Sequence, residues 1–179
     1  WQVIIDDPHT DLSVYGCREV TEKATTISGH YKVITLPGLC VMKLIAYGEK
    51  PDQRQKDWDD FVLVLTNYGD IAGEQLFEGE YDDLITDNFE FPLASARMLG
   101  RHLREIVNKN HGLQERIIQT LQNKFQGFSS REIEHMFLVN RNADQQVILL
   151  KLISEVLIGI RDTSDWRVLS TNTGSQQNW

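Results

Sequence analysis

The spacing of the apolar residues changes at Leu36-Pro37-Gly38, and this change decides most of what the chain can fold into. After it, apolar side chains recur every three or four residues up to about Gly48, at Leu39, Met42, Ile45 and Ala46. This is the period of an α-helix with one buried face, and a helix accommodates proline in its first turn. The spacing therefore predicts an amphipathic helix that begins near Pro37.

The helical period continues through most of the remaining chain. Pro51-Asp52-Gln53 is expected to end the first helix and to provide an N-cap for the next one. The apolar stripe of that second helix consists of Trp58, Phe61, Val62, Leu65 and Tyr68. Four more helices are predicted after Phe91-Pro92, at 93–107, 111–125, 129–139 and 143–161, and the third of them opens with the capping box Ser129-Ser-Arg-Glu132.

The first 35 residues have the composition of strands and turns. Their β-branched and aromatic residues predict three strands, at 1–6, 11–15 and 31–35, and a short helix at 17–24. We therefore predict an α+β chain in which a small N-terminal strand region precedes a mostly α-helical bundle. The expected parts are a strand-rich segment at 1–35, a helical domain at 36–161 and a polar tail at 162–179.

The charge and the cysteines narrow the class of protein. The chain has 26 acidic and 18 basic residues, a net charge of -8, which argues against a uniformly basic nucleic-acid binder. Cys17 and Cys40 form no C-x-x-C pair, so we expect structural thiols in a reduced, cytoplasmic protein. The longest apolar runs are interrupted by charge and fall short of the ~20 residues that span a bilayer, so no membrane partner is expected.

Several common catalytic and metal-binding motifs are missing. The sequence contains no P-loop, no G-x-G-x-x-G, no G-x-S-x-G, no H-E-x-x-H and no Cys or His cluster with zinc spacing. Residues 69–90 hold eight acidic residues and no basic one, but without EF-hand spacing, and they predict a short helix and exposed connections. His102, His111 and His135 are interpreted as residues of helix surfaces.

One cluster of charged residues is notable for its position. Lys43 interrupts an otherwise apolar helix, where an unpaired ammonium would be costly to bury. Lys50 follows seven residues later, on nearly the same helical face. On the next helix, Asp57 and Asp60 share a face, and Lys56 is spaced to pair with Asp60. A structural salt-bridge network and a site for a phosphate or a carboxylate both fit this pattern.

These residues stand in segments that resemble a known family. Leu36-Pro-Gly-Leu-Cys-Val-Met-Lys-Leu-Ile-Ala46, followed by Arg54-Gln-Lys-Asp-Trp-Asp-Asp60-Phe, resembles the lysine motif and the D-x-x-D motif of AbiEii-type nucleotidyltransferases. That family belongs to the polymerase-β-like superfamily and includes toxins of toxin–antitoxin and phage-defence systems. The segments 11–20 and 94–101 resemble the regions that flank these motifs in one branch of predicted nucleotidyltransferases. The resemblance covers about residues 1–107.

The resemblance implies a reaction and roles for particular residues. A nucleoside monophosphate would pass from an NTP to an acceptor, which could be RNA, protein or a small molecule, and an antitoxin could be a partner. Lys43 would contact the triphosphate, with Lys50 and Lys56 as further nucleotide-binding residues, although the family usually has Arg at the position of Lys50. Asp57 and Asp60 would be the catalytic D-x-x-D carboxylates, one a candidate base for the acceptor hydroxyl and the other an anchor for Lys43. The resemblance does not say which is which.

The chain departs from the family where the metal would bind. The family holds Mg²⁺ through a Gly-Ser motif followed by Asp-x-Asp, and the sequence contains no such motif; Asp6, Asp7 and Asp11 align downstream of it. We therefore expect the C-terminal part of a longer enzyme, inactive by itself, whose N-terminal half is its partner in the site and carries the Mg²⁺ ligands. The alternative hypothesis is a non-catalytic helical interaction module in which the Lys and Asp residues only join two helices.

Overall fold

A computed structural model describes residues 14–126 and 145–162, and all structural statements below concern these residues. The helices within these ranges are α1 (Cys17–Glu22), α2 (Leu36–Glu49), α3 (Gln55–Ala72), α4 (Phe91–Val107), α5 (His111–Gln122) and α6 (Gln145–Arg161). Strands β1 (Thr25–Ile27) and β2 (Tyr31–Val33) form an antiparallel hairpin, and short 3-10 helices occupy Gly73–Phe77, Asp82–Leu84 and Asn123–Phe125.

The predicted α+β class is confirmed: a two-stranded sheet precedes a bundle of helices. The strand prediction itself was partly wrong, because Val14 and Tyr15 lie outside any strand and β1 had not been predicted. β1 is short and rich in threonine, so its sequence carries little alternation of apolar and polar residues. The hairpin is exposed throughout. The strand predicted at 1–6 and the helix predicted at 129–139 lie outside the described residues.

Helices α2 and α3 begin in different ways. The Thr35 hydroxyl accepts a hydrogen bond from the Gly38 backbone N–H at 3.2 Å, and Pro37 lies in the first turn as predicted. Helix α3 begins after Arg54, which makes no side-chain capping bond, so the N-cap predicted within 51–53 was wrong. The charge of Asp57 in the first turn of α3 compensates in part for the missing side-chain cap, because a carboxylate is favoured near the positive end of the helix dipole.

Helix α4 is the centre of the bundle and packs against α2, α3, α5 and α6. Its closest contact is with α6, where Gly100 of α4 faces Gly159 of α6. A Cβ atom added to Gly100 would lie 2.9 Å from the Gly159 Cα and against the Val156 carbonyl oxygen. The two backbones therefore touch, which only glycine allows at both positions.

A cluster of charged residues fixes the end of α6 against α4. Arg101, only 2% exposed, donates to Asp162 at 2.6 Å through Nε and to both carboxylate oxygens of Asp83. Arg97 donates to the two oxygens of Asp162 at 2.9 and 3.1 Å. Residues 69–90 were predicted to form a short helix and exposed connections. The exposed part of this prediction was wrong where Asp83 binds Arg101 and where Leu76 and Leu84 are buried.

Replacing Asp162 with asparagine should change how stability depends on pH. Burial alone would raise the pKa of Asp162, but hydrogen bonds from Arg97 and Arg101 hold that pKa below its ordinary value of 3.8. A carboxylate whose pKa is depressed by folding stabilises the fold above the unfolded-state pKa, and the contribution is lost as pH falls through the folded-state pKa. We expect Asp162→Asn to cost about 2 kcal/mol at neutral pH, the scale of a hydrogen bond to a charged group.

This cost should stay constant from about pH 7 to pH 5 and shrink below about pH 4. Urea unfolding of the wild type and of Asp162→Asn across this range measures it. A cost that is the same at about pH 2 as at neutral pH would contradict the assignment of the depressed pKa.

Candidate functional site

The Lys43 site is formed where α2 packs against α3. Lys43 lies in the third turn of α2, and its Nζ is 2.8 Å from Asp57 Oδ1 and 2.7 Å from Asp60 Oδ2. The structure therefore brings together Lys43, Asp57 and Asp60, the three charged residues that the sequence pattern singled out. The neighbours of Lys43 on α2, including Leu44 and Ile45, are buried in the core, and this packing fixes the helix from which the lysine extends.

The three side chains of the site differ in their exposure. Asp57 retains 12% of its side-chain surface, Lys43 25% and Asp60 36%. Of the two carboxylates that bind Lys43, Asp60 is therefore the more open to solvent. A lysine ammonium has three N–H groups, and the two carboxylates engage two of them.

Two other cations lie near the carboxylates, and Lys50 lies at the end of α2. Arg54 Nη1 is 3.5 Å from Asp57 Oδ2, one turn earlier on the chain. Lys56 is exposed, and its charge contributes to the environment of Asp60. Lys50 is the exposed C-cap of α2, with φ -142° and ψ 68°. Lys50 therefore ends α2, although its backbone N–H still bonds to the Ala46 carbonyl as in a helix.

The contacts within the cluster favour the charged forms of Lys43 and Asp60. The hydrogen bond to Asp57, and then the one to Asp60, raises the pKa of Lys43 above its ordinary value. The hydrogen bond from Lys43 lowers the pKa of Asp60 below its ordinary value, and the charges of Lys43 and Lys56 add to this effect. Each shift stabilises the charged form, so the site presents an ammonium between two carboxylates.

An aromatic cluster lies next to the site, and one of its contacts, that of Lys124 with Trp58, could not be predicted from the sequence. Trp58 packs against Tyr47 and Phe61 with ring centroids 5.3 and 5.5 Å apart. Lys124 Nζ lies 3.9 Å from the Trp58 ring centroid and donates to the Tyr47 hydroxyl at 2.5 Å. Lys124 follows α5, far along the chain from both rings, and this separation hides the contact from sequence patterns. The contact holds Trp58, the neighbour of Asp57, in place.

His102 forms a second polar cluster, and its interpretation as a residue of a helix surface was wrong. Its ring nitrogens lie 2.6 Å from the Tyr68 hydroxyl and 2.7 Å from the Tyr81 hydroxyl. Both tyrosines are 2% exposed, and burial raises the pKa of Tyr68. Three separate elements contribute to this contact, so no local spacing indicates it. Both ring nitrogens contact buried tyrosines, so the half-buried ring connects α4 to Tyr68 of α3 and to Tyr81.

Among the described residues, neither the cysteines nor the acidic residues form a second site. Cys17 and Cys40 are both free thiols, and burial raises the pKa of Cys40 to about 12, which makes it a poor nucleophile at neutral pH. Within residues 14–126 and 145–162, no group of three His, Cys, Asp or Glu side chains could hold a metal ion. Asp6, Asp7 and Asp11 lie outside the described residues.

Comparisons with known proteins leave the family open. No family model, no curated protein and no solved structure matches this chain. In the described part of the chain, no helix is both long enough and apolar enough to cross a membrane.

Proposed function

We propose that this chain provides the triphosphate-binding helices of a nucleotidyltransferase, which transfers a nucleoside monophosphate from an NTP to an acceptor. The observation that carries the proposal is the position of Lys43, held by both carboxylates of the D-x-x-D segment and still one quarter exposed. A lysine binds phosphate as a compact point charge, and a side chain that is held in advance loses little entropy on binding. These properties support a phosphate-contacting role for Lys43.

The described residues support a role in holding the nucleotide and none in holding a metal. Transfer of a nucleotidyl group commonly relies on Mg²⁺ to neutralise the charge of the attacking and leaving oxygens. The described residues do not fit such an ion, because no group of three ligands is present among them and Lys43 already engages Asp57 and Asp60. The proposal therefore assigns the metal to other parts of the enzyme and the triphosphate to α2 and α3.

Lys43→Ala is expected to lower nucleotidyl transfer by the full-length protein by about 100-fold or more, the scale of removing one preorganised charge from an active site. Transfer of radiolabel from each of the four α-³²P-NTPs to RNA, to protein and to small-molecule acceptors measures the effect. Lys109→Ala is the matched control, because it removes the same charge from an exposed position after α4. Wild-type transfer by Lys43→Ala would contradict the proposal.

A second candidate is a non-catalytic helical module in which the same residues join α2 to α3. The observation in its favour is that Asp57 is bound by both Lys43 and Arg54, as in structural salt-bridge networks. In that case the full-length protein would transfer no nucleotide, and Lys43→Ala would lower only the free energy of unfolding. Measuring transfer and unfolding on the same variants separates the two candidates.

A further inference from the structure

The two carboxylates that hold Lys43 have different surroundings. Asp57 is 8% exposed and lies in the first turn of α3, where the helix dipole favours a negative charge. It binds two cations, Lys43 at 2.8 Å and Arg54 at 3.5 Å. Asp60 lies one turn further along α3, and its side chain is three times as exposed as that of Asp57.

This difference determines which carboxylate can release the ammonium. If Asp57 turned away from Lys43, a buried carboxylate would lose its closest cation, and breaking a buried ion pair in this way is strongly unfavourable. If Asp60 turned away, water would replace the lysine, and exposed ion pairs contribute little to stability. Asp60, the more exposed of the two carboxylates, also repels an anion that approaches Lys43.

We propose that Asp57 is the positioning residue that keeps Lys43 in place, and that Asp60 is an exchangeable partner that gives up its contact when a phosphate binds. The identity of the incoming group as a phosphate rests on the proposed function. The division of roles between the two carboxylates does not, because it follows from their burial and their contacts. No covalent bond is made or broken in this exchange.

The anchoring role can be tested without any ligand. Lysine ammonium groups that are held in ion pairs exchange their protons slowly and give sharp ¹⁵N–¹H NMR signals. We expect the Lys43 signal, assigned by its absence in Lys43→Met, to persist in the full-length Asp60→Asn protein and to disappear in Asp57→Asn. Asp57→Glu, which keeps the charge, should retain a shifted signal. Loss of the signal in Asp60→Asn would overturn the proposal, and this variant decides even where Asp57→Asn fails to fold.

The exchange can be tested with inorganic tripolyphosphate as the probe. Asp57→Asn should weaken tripolyphosphate binding about 10-fold, because Lys43 is no longer held in the position from which it makes a charge-assisted hydrogen bond to the phosphate. Asp60→Asn should leave the affinity within about threefold of wild type or increase it, because a competing carboxylate is removed. Calorimetric titration of the full-length protein measures both values. If charge alone mattered, both variants would bind more tightly by similar factors, which would overturn the proposal.

The outcomes separate this inference from the proposed function. A wild-type protein that binds tripolyphosphate, with affinities in Asp57→Asn and Asp60→Asn that change equally, overturns the division of roles only. A wild-type protein that binds no tripolyphosphate overturns the proposed function together with the exchange. In that case the NMR signal of the Lys43 ammonium still tests the anchoring role of Asp57, because that measurement needs no ligand.

Discussion

Replacing Arg101 with methionine is expected to lower the free energy of unfolding by about 3 kcal/mol, the lower part of the range for removing one partner of a buried ion pair. Arg101 is 2% exposed, and its guanidinium connects α4 to Asp83 and to Asp162 at the end of α6. It also lies 6.0 Å from the centroid of the Tyr81 ring. Without it, Asp83 can turn to water and Asp162 keeps Arg97, which is why the cost stays near the lower limit.

Urea unfolding measures this effect, and two further variants test its cause. Arg101→Lys keeps the charge but loses the paired geometry of the guanidinium. We therefore expect it to lower the free energy of unfolding, but by less than Arg101→Met does. Arg116→Met is the matched control, because Arg116 is 47% exposed and bonds Glu49 at the surface, where such a pair contributes about 1 kcal/mol or less. Equal costs for Arg101→Met and Arg116→Met would contradict the importance of burial.

The sequence was a good guide where neighbours along the chain determine the structure. The apolar stripe that begins at Trp58 predicted the helix observed at Gln55–Ala72, because a helix with one buried face repeats its apolar residues every three or four positions. The spacing of Asp57 and Asp60 predicted that both would face one side, and the structure places both against Lys43. The single charge of Lys43 in an otherwise apolar helix is also a local signal, because it can be recognised from the neighbouring residues alone.

The sequence was a poor guide where the partners are far apart along the chain. Arg101 binds Asp83 and Asp162, and His102 binds Tyr68 and Tyr81, through packing that no local period encodes. The acidic residues of 69–90 therefore suggested a short helix and exposed connections, with no sign that Asp83 would bind Arg101. The different burial of Asp57 and Asp60 was hidden for the same reason, since it depends on which helices and loops cover α3. A charged residue on a helix is predicted to be exposed, because charged side chains are rarely buried without a partner and a distant partner cannot be recognised from the sequence.

The contact of α4 with α6 makes Gly159→Ala the second variant with a large expected effect. At most helical positions, replacing glycine with alanine stabilises a protein by up to about 1 kcal/mol, since alanine restricts the unfolded chain and favours the helix. At Gly159 a Cβ would lie 3.0 Å from both the Arg101 backbone nitrogen and the Gly100 Cα, and against the Arg97 carbonyl oxygen. These are backbone atoms, which cannot turn aside as a flexible side chain can.

The two helices must therefore separate to admit the methyl group, and their movement would loosen the apolar contacts between them and shift Asp162 away from Arg97 and Arg101. We expect Gly159→Ala to lower the free energy of unfolding by about 3 kcal/mol, the upper part of the range for overpacking a core.

Gly100→Ala should cost a similar amount. The double variant should cost less than the sum of the two single variants, because one separation of the helices relieves both clashes. Gly29→Ala, where a Cβ would meet no atom within 4 Å, should cost only the roughly 1–2 kcal/mol of a left-handed backbone at φ +71°. Stabilisation by Gly159→Ala in urea unfolding would show that the helices do not touch at this point.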